Sequence, residues 1–319
     1  MAIGVEERQL AIDGAVVRAR EEAVVRAAQR RDYVVAVLGL LVMLIAMGLL
    51  LTLLADLVVR GLTRIDTEFL VSFPSRRPAE AGILSAWVGT LLVMIVTACL
   101  AIPIGVMAGL YLEEYAPKNA ITDLIEVNVS NLAGVPSIVY GLLALGLFVY
   151  ALGLGKSILV GGMTLALLIL PVVIVATREA VRSIPGIVKE GAFALGADKW
   201  QVMAHYIIPA ARPGILTGAI VGLSRAVGET APIITIGALT FIAFLPPPPV
   251  TSELPFISFD WLFAPFTVLP IQMFNWVSRP QVGFHINAAA TGVVLMVLTL
   301  GLNGIAIYIR YRLRRAIRN

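Results

Sequence analysis

EGAFALGADKWQVMAHYIIPAARPGILTGAIVGLSRAVGETAP, residues 190–232, changes character halfway. The first part is polar and broken by glycine. The second enters an apolar run and carries Arg225 and Glu229 with it. A charged side chain at membrane depth costs about 2.5–3.5 kcal/mol on insertion scales, so such residues face protein or a watery path. A polar loop at one side of the run and an ionised pair inside it point to transport.

Composition supports a membrane setting. Hydrophobic residues make up 59% of the 319, charged residues only 14%, and mean hydropathy is +0.92. A soluble chain of this size needs more polar side chains to cover its surface. Two His, far apart, and one Cys leave no metal set and no disulfide. Cys99, inside LLVMIVTACLAIPIGV, reads as a small packing residue. No cofactor is expected. The net charge of +4 does not suggest nucleic-acid binding, because the arginines gather where membrane topology places them.

Spanning the hydrocarbon core takes about 20 apolar residues. Six runs qualify, near 33–58, 83–112, 131–153, 157–177, 214–245 and 286–309. The arrangement expected is all-α and polytopic. It comprises an N-terminal arm 1–32, a first transmembrane helix 33–58, a five-helix domain 83–309 with a loop 178–213 and an outer lid 246–285, and a basic tail 310–319. The arm, charged over a long stretch with no small-residue cleavage site after it, is expected to carry no cleavable signal peptide. Arginines flank the first and last runs and recur in the loop 178–213, so both termini and that loop are expected in the cytoplasm. Arg60, Arg64, Arg76 and Arg77 in the loop 59–82 argue against this placement.

Breakers punctuate the spans. Pro103 and Gly105 lie in the second, and GVPSIVYG opens the third with Gly134, Pro136 and Gly141. Such residues are tolerated where neighbouring helices or a cavity satisfy the freed backbone groups. A helix kinked around a pathway and a merely bent packing helix both fit. The lid begins PPPP at 246–249 and is rich in aromatics. Of these, Trp261, Phe266, Phe274 and Trp276 are candidates for an outer gate, and an interfacial aromatic belt is the plainer alternative. GLGKS at 153–157 imitates the end of a phosphate-binding loop, but Tyr150 occupies the first glycine position and no strand precedes it. It reads as a turn, so ATP-driven work needs a partner and the chain is not itself an enzyme.

Glu190, Gly191 and Ala192, then Gly196, then Tyr206-Ile207-Ile208-Pro209 follow the spacing E-A-A, three residues, G, nine residues, I-x-L-P. Mechanically this is a short helix, a glycine permitting a sharp turn, and a second helix stopped by Pro209. Asp198 and Lys199 lie between, and the whole could sit in a groove on another protein. Beyond it, Gly214, Gly218, Gly222 and Ala226 recur every four residues, a stripe that lets another helix approach closely. Arg225 and Glu229, flanked by Ser224 and Thr230, are the candidate substrate pathway. The guanidinium fork matches tetrahedral oxyanions, and an acidic partner suits a protonated phosphate better than sulfate. An intrahelical ion pair of purely structural use is the bland alternative.

The loop resembles the coupling segment of permeases of ABC importers, with Gly191, Tyr206 and Ile208 departing from the usual pattern. YLEEYAPKN (111–119), EVNVSNLAGVPSIVYGLLALGLFV (126–149), SRAVGETAP (224–232) and FTVLPIQMFNWVSRPQ (266–281) resemble the phosphate-specific permeases of the PstA type, from about residue 80 onward. The resemblance implies a six-span, type I (MetI-like) importer permease in the bacterial inner membrane. It also implies a second, PstC-type permease, two PstB-type ATPase subunits and a PstS-type periplasmic phosphate-binding protein, with the Arg225 and Glu229 positions tied to transport. Other readings are an importer of sulfate or molybdate, and a scaffold or sensor that binds an ATPase without conducting.

Overall fold

The computed structural model describes the backbone of residues 3–250, 256 and 258–318, and side chains from residue 28 to 312 within those limits. Among the described residues regular structure is helical, apart from one isolated bridge between Ser157 and Pro265. The chain divides at residues 57 and 58. The first unit is a single helix, α1 (Ile3–Leu62), whose last turn belongs to the second unit. It runs through positions 32 and 33 without a break, and from Ala28 to Leu62 it is long and apolar enough to cross a membrane. Arm and first span are thus one continuous helix.

The second unit continues with α2 (Thr67–Val71), capped by the Asp66 carboxylate on the Phe69 amide at 2.6 Å. Then come α3 (Leu84–Leu110), α4 (Ala120–Leu132), α5 (Ser137–Ala144), α6 (Ile158–Arg182), α7 (Gly186–Ala194), α8 (Lys199–Val202), α9 (Ile208–Val227), α10 (Ala231–Thr235), α11 (Leu269–Val277) and α12 (Val282–Arg318). Among the described residues, five helices satisfy the length and apolarity of a membrane span, six if the bent pair Ala120–Leu132 and Ser137–Ala151 counts as one.

α6 is the axis of the bundle. α3 lies on one side, running parallel, and α9 on another, running antiparallel; glycine brings both close. A Cβ at Gly105 would stand 2.7 Å from Val173 Cγ1, and one at Gly109 2.7 Å from Thr177 Cβ. From α6 itself, Gly162 meets Val96 and the Thr97 amide. The α9 stripe does the same: Cβ atoms at Gly214 and Gly218 would lie 2.5 and 2.2 Å from the Cβ atoms of Ala180 and Ala176. Backbones this near multiply dispersion contacts where hydrophobic burial cannot drive association.

At the Ser157 end, the segment 264–269 threads between the starts of α3 and α6. The Ile158 amide donates to the Ala264 carbonyl at 3.1 Å, and the Leu269 amide to Thr90 Oγ1 at 2.9 Å. Phe266 is buried under Gly161. Trp276 is 0% exposed and packs with Phe69 and Phe284 at ring-centroid distances of 6.1 and 6.2 Å. Two of the four outer-gate candidates are therefore packing anchors; Trp261 is half-buried against the main core, and Phe274 is exposed. The rest of the lid's tip, residues 251–255 and 257, lies outside the described residues.

Four expectations are corrected. The span expected at 131–153 is bent by 106° between α4 and α5; Pro136 lacks an amide hydrogen and biases Val135 away from helical geometry. The span expected at 214–245 is a helix from Lys199 to Val227 that stops at Gly228. Pro209 does not stop a helix. A π-helical turn, Met203–Ile207, precedes it and links α8 to α9. Cys99 faces outward from α3 rather than into the packing.

Substituting Gly218 by leucine wedges a side chain into the α6–α9 contact, and overpacking costs about 1–3 kcal/mol or more. The expected result is a melting temperature lowered by several degrees for the detergent-purified protein. Gly301→Ala, where no atom lies within 4 Å of the added Cβ, should leave it unchanged. Fluorescence-monitored thermal unfolding of both variants distinguishes these outcomes.

Candidate functional site

Arg225 occupies the last turn of α9, and Glu229 follows the helix's final residue by two positions. Their side chains approach at a single point, Arg225 Nε to Glu229 Oε1, 3.4 Å apart. The Glu229 amide donates to the Ala226 carbonyl at 3.3 Å, which folds the chain back before Thr230 opens α10. Pro232 in the first turn of α10 needs no donor there.

The broken helix meets the other break. α10 packs on α5, where a Cβ at Gly141 would collide with Thr235 Oγ1 and the Pro232 backbone. Gly141 is thus required for this close approach. Tyr140, one residue earlier, donates its hydroxyl to the Leu132 carbonyl at 2.7 Å and staples α5 across the bend to α4. It also lies within electrostatic reach of Arg225. The interruption around Pro136, legible in the sequence, and the stop after Val227, which the expected span 214–245 runs through, therefore come together beside the arginine.

Of the four pathway candidates, Arg225, Glu229 and Thr230 share this corner. Ser224 does not. Its hydroxyl lies 2.6 Å from both the Ile220 carbonyl and Asn303 Oδ1, tying α9 to α12. It borders an apolar cavity of about 210 Å³ lined also by Met94, Leu223 and Leu302.

The loop at the Arg182 end holds the second group of candidates. Gly196 has φ +84°, the left-handed region that glycine adopts without strain, and it joins α7 to α8. Asp198 caps α8 reciprocally with Gln201: Asp198 Oδ1 accepts from the Gln201 amide at 2.7 Å, and Gln201 Oε1 from the Asp198 amide at 2.9 Å. Ala192 is buried against Val202, Met203 and Ile207, while Glu190 and Gly191 face outward. Ile187, Leu195 and Trp200 stand 76%, 87% and 67% exposed. Exposed apolar side chains of this size suit contact with another protein or with lipid. Pro209 lies just inside α9.

Residues 101–319 match the family described as binding-protein-dependent transport system inner membrane component. The chain belongs to this family. Among curated relatives of this transport component, the phosphate transport system permease protein PstA of Mycobacterium leprae is 32% identical over 267 residues, 82% of each chain. The probable phosphate transport system permease protein PstA of Methanocaldococcus jannaschii is 30% identical over 272 residues, 85% of this chain and 89% of its own. The solved MetNI methionine ABC transporter contains a chain that superimposes with a TM-score of 0.52 at 18% identity, covering 72% of this chain and 93% of that one. That likeness shows the fold, all-α and MetI-like; the family match makes the chain a multi-pass inner membrane component of a transport system.

One feature of the component was not foreseen. Glu113, Glu114 and Glu126 meet Arg178, Arg182 and Lys189 in a charge network beneath the loop. The arginines read in sequence only as topology markers, and the acidic residues are distant from them along the chain. YLEEY was legible as a motif; its partners were not.

Removing the cap by Asp198→Ala costs about 1 kcal/mol of local helix stability. Amide hydrogen exchange at Gln201 should accelerate by roughly fivefold, with exchange in α6 unchanged.

Proposed function

We propose that this permease forms half of the translocation pathway of an ATP-driven importer of inorganic phosphate. The observation that carries the substrate is the half-used guanidinium of Arg225. Only its Nε engages Glu229, and its two terminal nitrogens have no partner among the described residues. A planar fork with open donors suits a tetrahedral oxyanion. Phosphate, unlike sulfate, also carries a proton near neutral pH that it can donate to Glu229. The permease relatives named for phosphate transport support the same choice.

Glu229 neutralises Arg225 while the path is empty and accepts the phosphate hydroxyl when it is filled. Thr230, at the start of α10, lines the same corner. The exposed apolar residues of the loop, with Glu190, Gly191, Gly196, Asp198, Lys199 and Pro209 framing them, dock in a groove of an ATPase of the PstB type, two copies of which serve the complex. A second permease of the PstC type completes the pathway, and a PstS-type binding protein delivers phosphate at the Ser157 end, near Trp261 and Phe274. Nucleotide-dependent contacts with the loop supply the energy that exposes the path to each side in turn.

In this arrangement the Arg182 end faces the cytoplasm. Arg310 near the end of α12 reaches Thr217 of α9 at 2.8 Å, a contact that supports assigning the basic tail to that same end. A reporter enzyme fused after Asn319 should therefore be active only in its cytoplasmic form; a periplasmic signal would invert the topology. Charge-assisted hydrogen bonds are worth about 1.5–3 kcal/mol, so Arg225→Gln should lower ATP-dependent uptake of labelled phosphate by about tenfold or more. Proteoliposomes holding the full complex and its binding protein test this, with excess sulfate as competitor. Uptake that ignores sulfate and fails in the variant is the expected result. Uptake near wild type in the variant removes Arg225 from the path, and competition by sulfate changes the substrate.

A further inference from the structure

We propose that the turn Tyr111–Tyr115 is the clamp through which motion of the loop 183–198 reaches the transmembrane helices. The inference rests on that loop being where the ATPase docks. YLEEY continues α3 as a π-helical turn, closed by the Ala116 amide donating to the Tyr111 carbonyl at 2.8 Å. Three of its consecutive side chains are each held by a different element. Glu113 takes a two-pronged contact from Arg182 of α6, with both N···O distances 3.0 Å, and lies 3.4 Å from Arg178 Nε. Glu114 pairs with Lys189 of α7. The ring of Tyr115 lies under the Lys199 ammonium of α8, 4.7 Å from the ring centroid.

The loop and the α8 helix that follows it thus grip the end of α3 on both sides of Gly196, through Lys189 before it and Lys199 after it. Lys189 and Glu114 are largely shielded from water, so separating them exposes two poorly solvated charges at once. α7 therefore carries the end of α3 with it when it moves.

The network also leads inward. Arg178, 6% exposed, bridges Glu113 to Glu126 of α4, the latter contact at 2.7 Å. α4 ends at the bend stapled by Tyr140, and α5 beyond it packs on α10 next to Arg225. The coupling loop and the candidate anion site are consequently joined by two routes from one turn: α3 along the face of α6, and Arg178–Glu126 through α4. No side chain in this clamp belongs to the pathway itself, so Glu114 and Lys189 act as positioning residues.

A merely structural pair would alter stability and leave the phosphate moved per ATP hydrolysed unchanged. The discriminating readout is therefore that ratio, measured in proteoliposomes containing the full complex and binding protein, with co-purification of the ATPase recorded alongside. The variants are Glu114→Gln, Glu114→Lys, Lys189→Glu and the exchanged pair Glu114→Lys with Lys189→Glu. Expected are single variants that retain the ATPase, hydrolyse ATP and move about tenfold less phosphate per ATP, within the range of measured coupling free energies. The exchanged pair should recover to within about threefold of wild type, the non-additivity that marks a direct interaction. An unchanged ratio in Glu114→Gln and Glu114→Lys overturns the clamp. So does an exchanged pair no better than the single changes, or loss of assembly in every variant including the near-isosteric Glu114→Gln. Absence of ATP-dependent uptake in the wild-type assembly would instead refute the importer reading beneath it.

Discussion

The rest of the structure depends on how closely α3 and α9 approach α6. Hydrocarbon tails compete with leucine for any apolar surface, so helices in a bilayer associate through packing and hydrogen bonds rather than through burial from water. Gly105 and Gly109 on α3, Gly162 on α6, and Gly214 and Gly218 on α9 remove the side chains that would hold these backbones apart. Thr97 adds a polar contact, its hydroxyl lying 2.8 Å from the Val93 carbonyl and 3.3 Å from the Gly162 carbonyl across the interface. With three helices locked in this way, the remaining elements can be short, bent and irregular without loss of the fold.

That rigidity is used at the two breaks. Irregular backbone at membrane depth persists only where protein or a water-lined cavity satisfies it. Here the bend after α4 and the stop after α9 serve each other, through α5 against α10, with Gly141 permitting the contact. Among the described residues, the arginine beside this corner keeps a single long contact to Glu229 and leaves the rest of its fork open. A fully paired arginine would be cheaper to hold in a bilayer; the open fork is what the proposed anion site uses.

The opposite end has a different character. The loop 183–198 sits on a small apolar core built from Val181, Ala192, Val202 and Ile207, and its outer face mixes charged residues with uncovered apolar ones such as Ile187 and Leu195. Between that core and the spans lies the network of Glu113, Glu114, Glu126, Arg178, Arg182 and Lys189. Ion pairs in such a place contribute little net stability against their desolvation, but they fix which elements move together. A loop held only by apolar contacts could slide over α3; one held by charge pairs in a shielded site has discrete positions.

Much of this chain was legible before any geometry. Apolar runs of spanning length, arginine placement, the small-residue stripe of α9, the spacing around Gly196 and the isolated Arg225–Glu229 pair are local features. Local chemistry sets them: backbone hydrogen bonds that must close within a segment, a φ that only glycine takes freely, a charge that hydrocarbon rejects. Tertiary structure decided the rest. Pro136 announces an interruption but not a 106° bend, and Pro209 lies within a helix because a π-helical turn precedes it. Phe266 and Trp276 look like gate aromatics in sequence and prove to be buried, since an aromatic ring suits a packed core as well as an interface. The partners of Glu113 and Glu114 lie 69 and 75 residues away along the chain. Periodicity governs neighbours within one helix; which charges meet across helices depends on how the glycine-lined backbones pack, and only the folded bundle supplies that.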